Sequence, residues 1–146
     1  MELLTAIDEK PATLFMHNPK IMIVDDDPSL RQALMVRLRA NQYRTVSAGD
    51  GYSALALAQK ELPDLILLDL GLPGRETGIA VLKHLQEFPS LAPIPVFILT
   101  GWDSRDYKKL TLGSGAVAFF QKPTADAKLL EAIRECLRAG HRNLPS

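Results

Sequence analysis

Residues 20–30, "KIMIVDDDPSL", join a short apolar run to three consecutive aspartates and a proline. Asp27 followed by Pro28 is typical of a helix start, because Asp is a favoured N-cap and Pro is favoured at the first helical position. The stretch therefore predicts a buried strand that passes directly into a helix. It also leaves Asp25 and Asp26 to be explained, since neighbouring carboxylates repel one another unless a cation offsets them.

The same change from an apolar run to an amphipathic segment occurs five times along the chain. The predicted strands are 20–24, 43–48, 64–69, 95–100 and 116–121. Three of these runs are almost continuously apolar, which is typical of parallel strands that are covered on both faces. A predicted helix follows each strand, and the last one is expected to end at Gly140 as its C-cap. This alternation predicts an α/β fold with an open, doubly wound parallel sheet.

Composition narrows the class of protein. The 146 residues are enough for one domain with a substantial core. Seventeen basic and seventeen acidic residues balance, so neither a nucleic-acid surface nor a membrane surface is indicated. The single cysteine, Cys136, excludes an internal disulfide. We expect a cytoplasmic protein with an N-terminal extension (1–19), a main domain (20–140) and a C-terminal tail or linker stub (141–146).

Polar residues end four of the five predicted strands: Asp25 and Asp26, Asp69, Thr100, and Lys122. Ligands of open parallel sheets bind beyond the carboxyl ends of the strands, so these side chains should share one edge. Carboxylate oxygens with positions left for water suit Mg²⁺, or Mn²⁺. The Thr100 hydroxyl and the Lys122 ammonium could then hold phosphoryl oxygens. Attack by Asp69 on phosphorus would yield an aspartyl phosphate.

Four segments carry a resemblance to a known family: "IMIVDDDPSLRQAL", "LILLDLGLPG", "PIPVFILTG" and "GAVAFFQKP". Across about residues 20–139 the chain resembles the receiver domain of two-component response regulators. The resemblance implies a flavodoxin-like (βα)5 fold with strand order 2-1-3-4-5. It also implies a regulatory phosphoacceptor domain rather than an enzyme with a separate substrate, and a phosphohistidine donor on a sensor histidine kinase or a histidine phosphotransfer protein.

The resemblance also implies a role for each site residue. Asp69 would accept the phosphoryl group. Asp26, Asp69 and the backbone carbonyl of Gly71 would bind Mg²⁺ directly, and Asp25 would act through a water. Thr100 and Lys122 would hold the phosphoryl oxygens.

Further implications concern the output of the domain. Phe119 aligns with the family's switch position, although an ordinary edge-strand aromatic is the alternative. Thr100 and Phe119 would reorganise the surface of the fourth helix, fifth strand and fifth helix. That surface would control an output domain or partner protein without direct nucleic-acid or membrane binding, in a monomer or a switch-face homodimer. Gly71 and Trp102 flank the place of a hydrolytic water, which predicts a long-lived phosphoryl group.

Two other functions compete with this interpretation. One is a degenerate receiver that acts only as an interaction platform. The other is a haloacid-dehalogenase-type phosphatase, which would use Asp25, Asp27, Thr100 and Lys122, but the acidic pair expected after the lysine is missing and Asp69 has no role. The loop "PGRETG" (73–78) is one residue longer than is usual in receivers, and His84 is predicted to lie on a solvated helix face.

Overall fold

The computed structural model describes residues 18–102 and 105–142, with side chains as far as Gly140. Residues 1–17 of the predicted extension and residues 143–146 of the predicted tail lie outside the described residues. The domain limits proposed from the sequence therefore stay predictions.

Five strands alternate with five helices in the described chain. The strands are β1 (Lys20–Val24), β2 (Arg44–Ala48), β3 (Leu65–Leu68), β4 (Val96–Thr100) and β5 (Ala118–Gln121). The helices are α1 (Pro28–Ala40), α2 (Gly51–Glu61), α3 (Gly78–Glu87), α4 (Arg105–Gly113) and α5 (Asp126–Arg142). All strand pairs are parallel, in the order β2-β1-β3-β4-β5. The doubly wound fold and its strand order are confirmed.

Helices cover both faces of the sheet, and each face has its own core. Alternate residues of β1 divide between the two: Met22 and Val24 join one cluster, whereas Ile21 and Ile23 join the other. β3 and β4 divide in the same way, which explains why their sequences are apolar without a break. None of the helices in the described part of the chain is both long enough and apolar enough to cross a membrane.

The strand register sets the position of the polar residues. Val24 of β1 lies opposite Leu68 of β3, so Asp25 and Asp69 leave the sheet side by side. Thr100 of β4 lies opposite Gln121 of β5, which places Lys122 next to the end of β4. The side chains predicted to share one edge therefore emerge from neighbouring strands.

Local capping explains where the helices begin. The Asp27 carboxylate accepts a hydrogen bond from Ser29 N–H at 2.9 Å, and Pro28 opens α1, as predicted. Asp50 caps α2 in the same way, through Ser53 N–H at 2.7 Å. The prediction that Gly140 ends the last helix is wrong, because α5 continues to Arg142. Gly140 does not adopt the left-handed conformation that a terminating glycine requires, so the helix passes through it.

Candidate functional site

Three carboxylates meet beyond the ends of β1 and β3. One oxygen each from Asp25, Asp26 and Asp69 can be chosen so that all three lie within 4.8 Å of one another. Asp25 is 3% exposed and Asp69 8% exposed, whereas Asp26 is open to solvent. Clustered carboxylate oxygens are the ligands of a hard divalent cation, and the open side leaves room for water and a further ligand. The donor set therefore fits a magnesium-type ion.

Lys122 is the cation that offsets this charge in the structure. Its Nζ lies 2.6 Å from Asp25 Oδ2 and 3.4 Å from Asp69 Oδ2. Burial raises the pKa of the Asp25 carboxyl, and this effect exceeds the opposing hydrogen bond from Lys122. Burial acts to lower the pKa of Lys122, but its contacts with Asp25 and Asp69 outweigh burial and raise it. Lys122 therefore stays protonated as the counter-ion of both aspartates.

The Asp69 carboxylate is held from two sides. Lys122 donates to Oδ2, and the Gly71 N–H donates to Oδ1 at 3.2 Å. The Asp69 N–H donates to the carbonyl of Val24 at 2.9 Å, which continues the β1–β3 pairing by one residue. An aspartate oriented in this way beside a fixed ammonium has the arrangement of a carboxylate nucleophile for an electrophile that carries negative charge.

A backbone hydrogen bond holds Lys122 next to Thr100. The Lys122 N–H donates to the Thr100 carbonyl at 2.7 Å, and the peptide bond between Lys122 and Pro123 is cis. The Thr100 side chain is fully buried at the end of β4, where Oγ1 accepts the Trp102 N–H at 3.3 Å. The hydroxyl therefore belongs to the same edge of the sheet as the carboxylates.

An aromatic pair borders the site. A methyl group built at Gly71 would lie 3.2 Å from Trp102 Nε1, so the indole packs almost against the glycine backbone. The rings of Trp102 and Tyr107 are 4.8 Å apart between centroids, although Trp102 remains 38% exposed. Trp102 thus lies over Gly71, in the segment that follows Asp69.

Two other residues singled out in the sequence have mixed environments. Phe119, on the edge strand β5, is half-buried and packs against the core cluster that contains Val24 and Leu68. His84 is partly exposed, but its Nδ1 lies 2.8 Å from Glu76 Oε2. His84 is therefore not simply solvated, because its ring contacts the Glu76 carboxylate in the loop that follows the site.

The structure separates Asp27 from the cluster. Its Oδ1 accepts hydrogen bonds from the first turn of α1, from Ser29 N–H and Leu30 N–H. A phosphatase of the haloacid-dehalogenase type would need Asp27 together with Asp25 as its acidic pair. The geometry does not favour that assignment.

Sequence reasoning missed Arg31. Its Nη1 donates to the backbone carbonyl of Asp25 at 2.6 Å. An arginine six residues after an aspartate has no local pattern that predicts this contact, because the turn from β1 into α1 creates it. Glu76 was missed for a similar reason, since its partner His84 lies on the following helix.

Known proteins of similar sequence support the phosphoryl-transfer chemistry that the site geometry indicates. Residues 21–134 match the model of the response regulator receiver domain family. The response regulator PleD of Caulobacter vibrioides is 38% identical over 119 residues, which is 82% of this chain and 26% of that protein. Sporulation initiation phosphotransferase F of Bacillus subtilis is 34% identical over 122 residues, which is 84% of this chain and 96% of that protein.

Solved structures agree with these relatives. The BeF3-activated N-terminal receiver domain of Klebsiella pneumoniae RstA superposes with a TM-score of 0.75 and 32% identity, covering 82% of this chain and 98% of that one. The chain spans about a quarter of the length of PleD and about half the length of several other regulators it matches. The chain has five parallel strands in the order β2-β1-β3-β4-β5 and an acidic cluster at their carboxyl edge. Together with the match to the family model, these features show that the chain belongs to the family of response regulator receiver domains.

Proposed function

We propose that Asp69 accepts a phosphoryl group from a phosphohistidine in a Mg²⁺-dependent reaction. The observation that carries this proposal is the convergence of Asp25, Asp26 and Asp69, with the Lys122 ammonium in contact with two of them. Asp69 directly follows the central strand β3, and its carboxylate is oriented by the Gly71 N–H at 3.2 Å and by Lys122 Nζ at 3.4 Å. It is thus an oriented nucleophile beside a site for a cation.

The contacts divide the metal-binding roles. Asp25 receives shorter contacts, from Lys122 Nζ at 2.6 Å and the Asp27 N–H at 2.9 Å, than Asp69 does at 3.4 Å and 3.2 Å, which favours a role for Asp25 through a bound water. Asp26 is exposed and so is available as a direct ligand, together with Asp69 and the Gly71 carbonyl. The bound cation would neutralise charge on the transferring phosphoryl oxygens. Mn²⁺, another oxygen-seeking ion, should substitute for Mg²⁺.

The transfer itself exchanges one bond for another. An Asp69 carboxylate oxygen forms a bond to phosphorus while the bond between phosphorus and the donor imidazole nitrogen breaks, and the imidazole takes up a proton from water. Lys122 is placed to contact the phosphoryl oxygens, because its Nζ already lies 3.4 Å from Asp69. The Thr100 hydroxyl, at the end of the neighbouring strand, would donate to another of these oxygens.

Phosphorylation would act as a switch by adding about −1.5 to −2 charges at one point. Lys122 and Thr100 would move toward the new charge, and Phe119 would follow by packing into the space that Thr100 leaves. We infer that the α4–β5–α5 surface then changes its affinity for an output domain, a partner protein or a second copy of the chain. The donor would be a sensor histidine kinase or a histidine phosphotransfer protein, and the role is regulatory.

The test uses Trp102 as a reporter, since its indole borders Gly71 and its backbone N–H donates to Thr100 Oγ1. Mg²⁺ is added first, followed by beryllium fluoride or acetyl phosphate, and the tryptophan fluorescence is recorded. Phosphoryl incorporation is measured in parallel by intact mass. We expect a saturable, Mg²⁺-dependent response that Asp69→Asn abolishes. Asp27→Asn is the matched control, because it removes a nearby carboxylate outside the cluster but keeps a side chain that caps α1.

The outcomes separate the competing functions. Equal phosphoryl incorporation by Asp69→Asn would reject Asp69 as the acceptor. No incorporation by the parent, with every donor tried, would support the interaction platform instead. Continuous release of phosphate from a simple phosphomonoester would revive the phosphatase assignment.

A further inference from the structure

Arg31 lies on the first helix, yet its guanidinium reaches back to the end of β1. Nη1 donates to the carbonyl oxygen of Asp25 at 2.6 Å, and the side chain is half-buried. That carbonyl belongs to the peptide unit that joins Asp25 to Asp26. The contact therefore holds the backbone from which both carboxylates extend.

Asp25 is held by further contacts, whereas the direction of the Asp26 side chain depends on the Asp25–Asp26 peptide. The Asp25 N–H donates to Ala48 in the sheet at 3.1 Å, and the Asp25 carboxylate accepts from Lys122 and from the Asp27 N–H. The exposed Asp26 carboxylate makes no hydrogen bond or ion pair among the residues that the structure describes. Its direction relative to Asp69 is consequently set by the orientation of the Asp25–Asp26 peptide.

Gly49, directly after β2, provides the space for the guanidinium. A methyl group built on Gly49 would lie 2.9 Å from Arg31 Nη1 and 3.5 Å from Cζ. Any side chain at this position would push the guanidinium away from the Asp25 carbonyl. Arg31 of α1 therefore reaches the Asp25 carbonyl only because Gly49, after β2, has no side chain.

We propose that Arg31 is a positioning residue for the divalent cation: by holding the Asp25–Asp26 peptide, it keeps Asp26 aimed at the site that Asp69 shares. The inference rests on the proposed metal-dependent function. The direction in which Mg²⁺ affinity changes when Arg31 is removed distinguishes this positioning role from a simple charge effect. A guanidinium near a cation site repels the cation, so as a charge alone its removal would tighten Mg²⁺ binding. As a positioning group, its removal weakens binding.

The experiment measures Mg²⁺ affinity directly, without a phosphoryl donor. The full chain is titrated with Mg²⁺ by calorimetry and by Trp102 fluorescence, for the parent, Arg31→Met, Gly49→Ala and the double variant. We expect Arg31→Met to weaken binding by about 10-fold or more, as is typical when a group that orients a metal ligand is lost. Gly49→Ala keeps every charge and should weaken binding in the same direction. The double variant should be no weaker than the poorer single variant.

Arg39→Met is the matched control, because it removes an arginine from the same helix whose Nε donates to Thr45 rather than to the site. It should bind Mg²⁺ like the parent. If the parent binds Mg²⁺ but Arg31→Met binds equally well or more tightly, Arg31 does not position the ligands, even if the variant is less stable. If Arg31→Met fails to fold, Gly49→Ala decides the question. Absence of Mg²⁺ binding by the parent would instead overturn the proposed metal site, and this inference with it.

Discussion

At the scale of single residues, the site is a balance of charges in which Lys122 has two partners. Its ammonium contacts Asp25 at 2.6 Å and Asp69 at 3.4 Å, and both carboxylates are buried. A divalent cation would enter a cluster that this lysine already neutralises in part. Lys122 should therefore oppose Mg²⁺ binding while it favours the negatively charged phosphoryl group.

Replacement of Lys122 separates these two effects. We expect Lys122→Met to bind Mg²⁺ severalfold more tightly, because a positive charge a few ångströms away is lost. The same variant should respond weakly to beryllium fluoride, because the phosphoryl oxygens lose a contact. Fluorescence titration with each ligand measures both. Lys128→Met, on the exposed face of α5, is the control, and weaker Mg²⁺ binding by Lys122→Met would contradict the charge argument.

Trp102 is expected to protect the phosphoryl group. Its indole packs against the backbone of Gly71, which has no side chain to orient a water there. We predict that Trp102→Glu loses phosphate severalfold faster, because a carboxylate in place of the ring admits and orients water. Trp102→Phe, which keeps an apolar ring, should lie closer to the parent. The decay of the phosphorylated protein is followed by intact mass, and equal decay in parent and Trp102→Glu would exclude shielding.

At the scale of elements, the connection from β3 to α3 is packed tightly beside the site. Gly78, the first residue of α3, lies so close that a methyl group there would be 2.2 Å from the Asp69 carbonyl oxygen. Gly51, the first residue of α2, is packed in the same way against Glu76 of the loop. Glu76 in turn contacts His84 of α3. The loop of residues 73–78 is therefore fixed by packing at both helix starts, not only by its own sequence.

Substitution at Gly78 tests this packing. Gly78→Ala should lower the free energy of unfolding by about 1–3 kcal/mol or more, because the methyl group must displace backbone. It should also reduce phosphoryl uptake, since the displaced backbone is that of Asp69. Denaturant unfolding and intact mass measure the two effects.

Gly140→Ala is the control for Gly78→Ala. A methyl group at Gly140 meets nothing within 4 Å, and the residue lies inside α5, so this variant should gain about 0.5–1 kcal/mol of stability. A Gly78→Ala variant as stable as the parent would show that the loop can move away.

At the scale of the whole molecule, the sheet connects two cores and presents one polar edge. The two strands that supply the carboxylates are neighbours in the sheet, with Val24 opposite Leu68, although the aspartates that follow are distant in sequence. A cation bound there would join the ends of β1 and β3. It would bind the folded chain and not the unfolded one, and so it would stabilise the fold as a whole.

Mg²⁺ should accordingly raise the melting temperature. At free Mg²⁺ of about 100 times Kd, the expected gain is about 2.7 kcal/mol, which corresponds to several degrees. Asp26→Asn should lose this gain and, without Mg²⁺, melt at or slightly above the parent's temperature, because Asp26 is exposed, has no structural contact in the described chain and repels Asp25 and Asp69. Calorimetric scans with and without Mg²⁺ measure both. Equal stabilisation of the variant would remove Asp26 from the ligand set.

The sequence by itself determined the order of the elements, because unbroken apolar runs and capped amphipathic segments are local patterns with a direct physical cause. It also determined the candidate residues Asp25, Asp26, Asp69, Thr100 and Lys122, since the ends of parallel strands must share one edge. The closing of α5 at Gly140 was predicted wrongly, because glycine ends a helix only when its backbone turns left-handed, and here it does not.

Only the tertiary structure decided which side chains touch. The pairing of Lys122 with Asp25, the contact of Arg31 with the Asp25 carbonyl, and the fit of Gly78 against Asp69 all join residues through the fold. Such contacts depend on strand register and on the angle at which a helix leaves the sheet. No local stretch of the chain specifies the register or the helix angle, because both result from packing two cores against the same five strands.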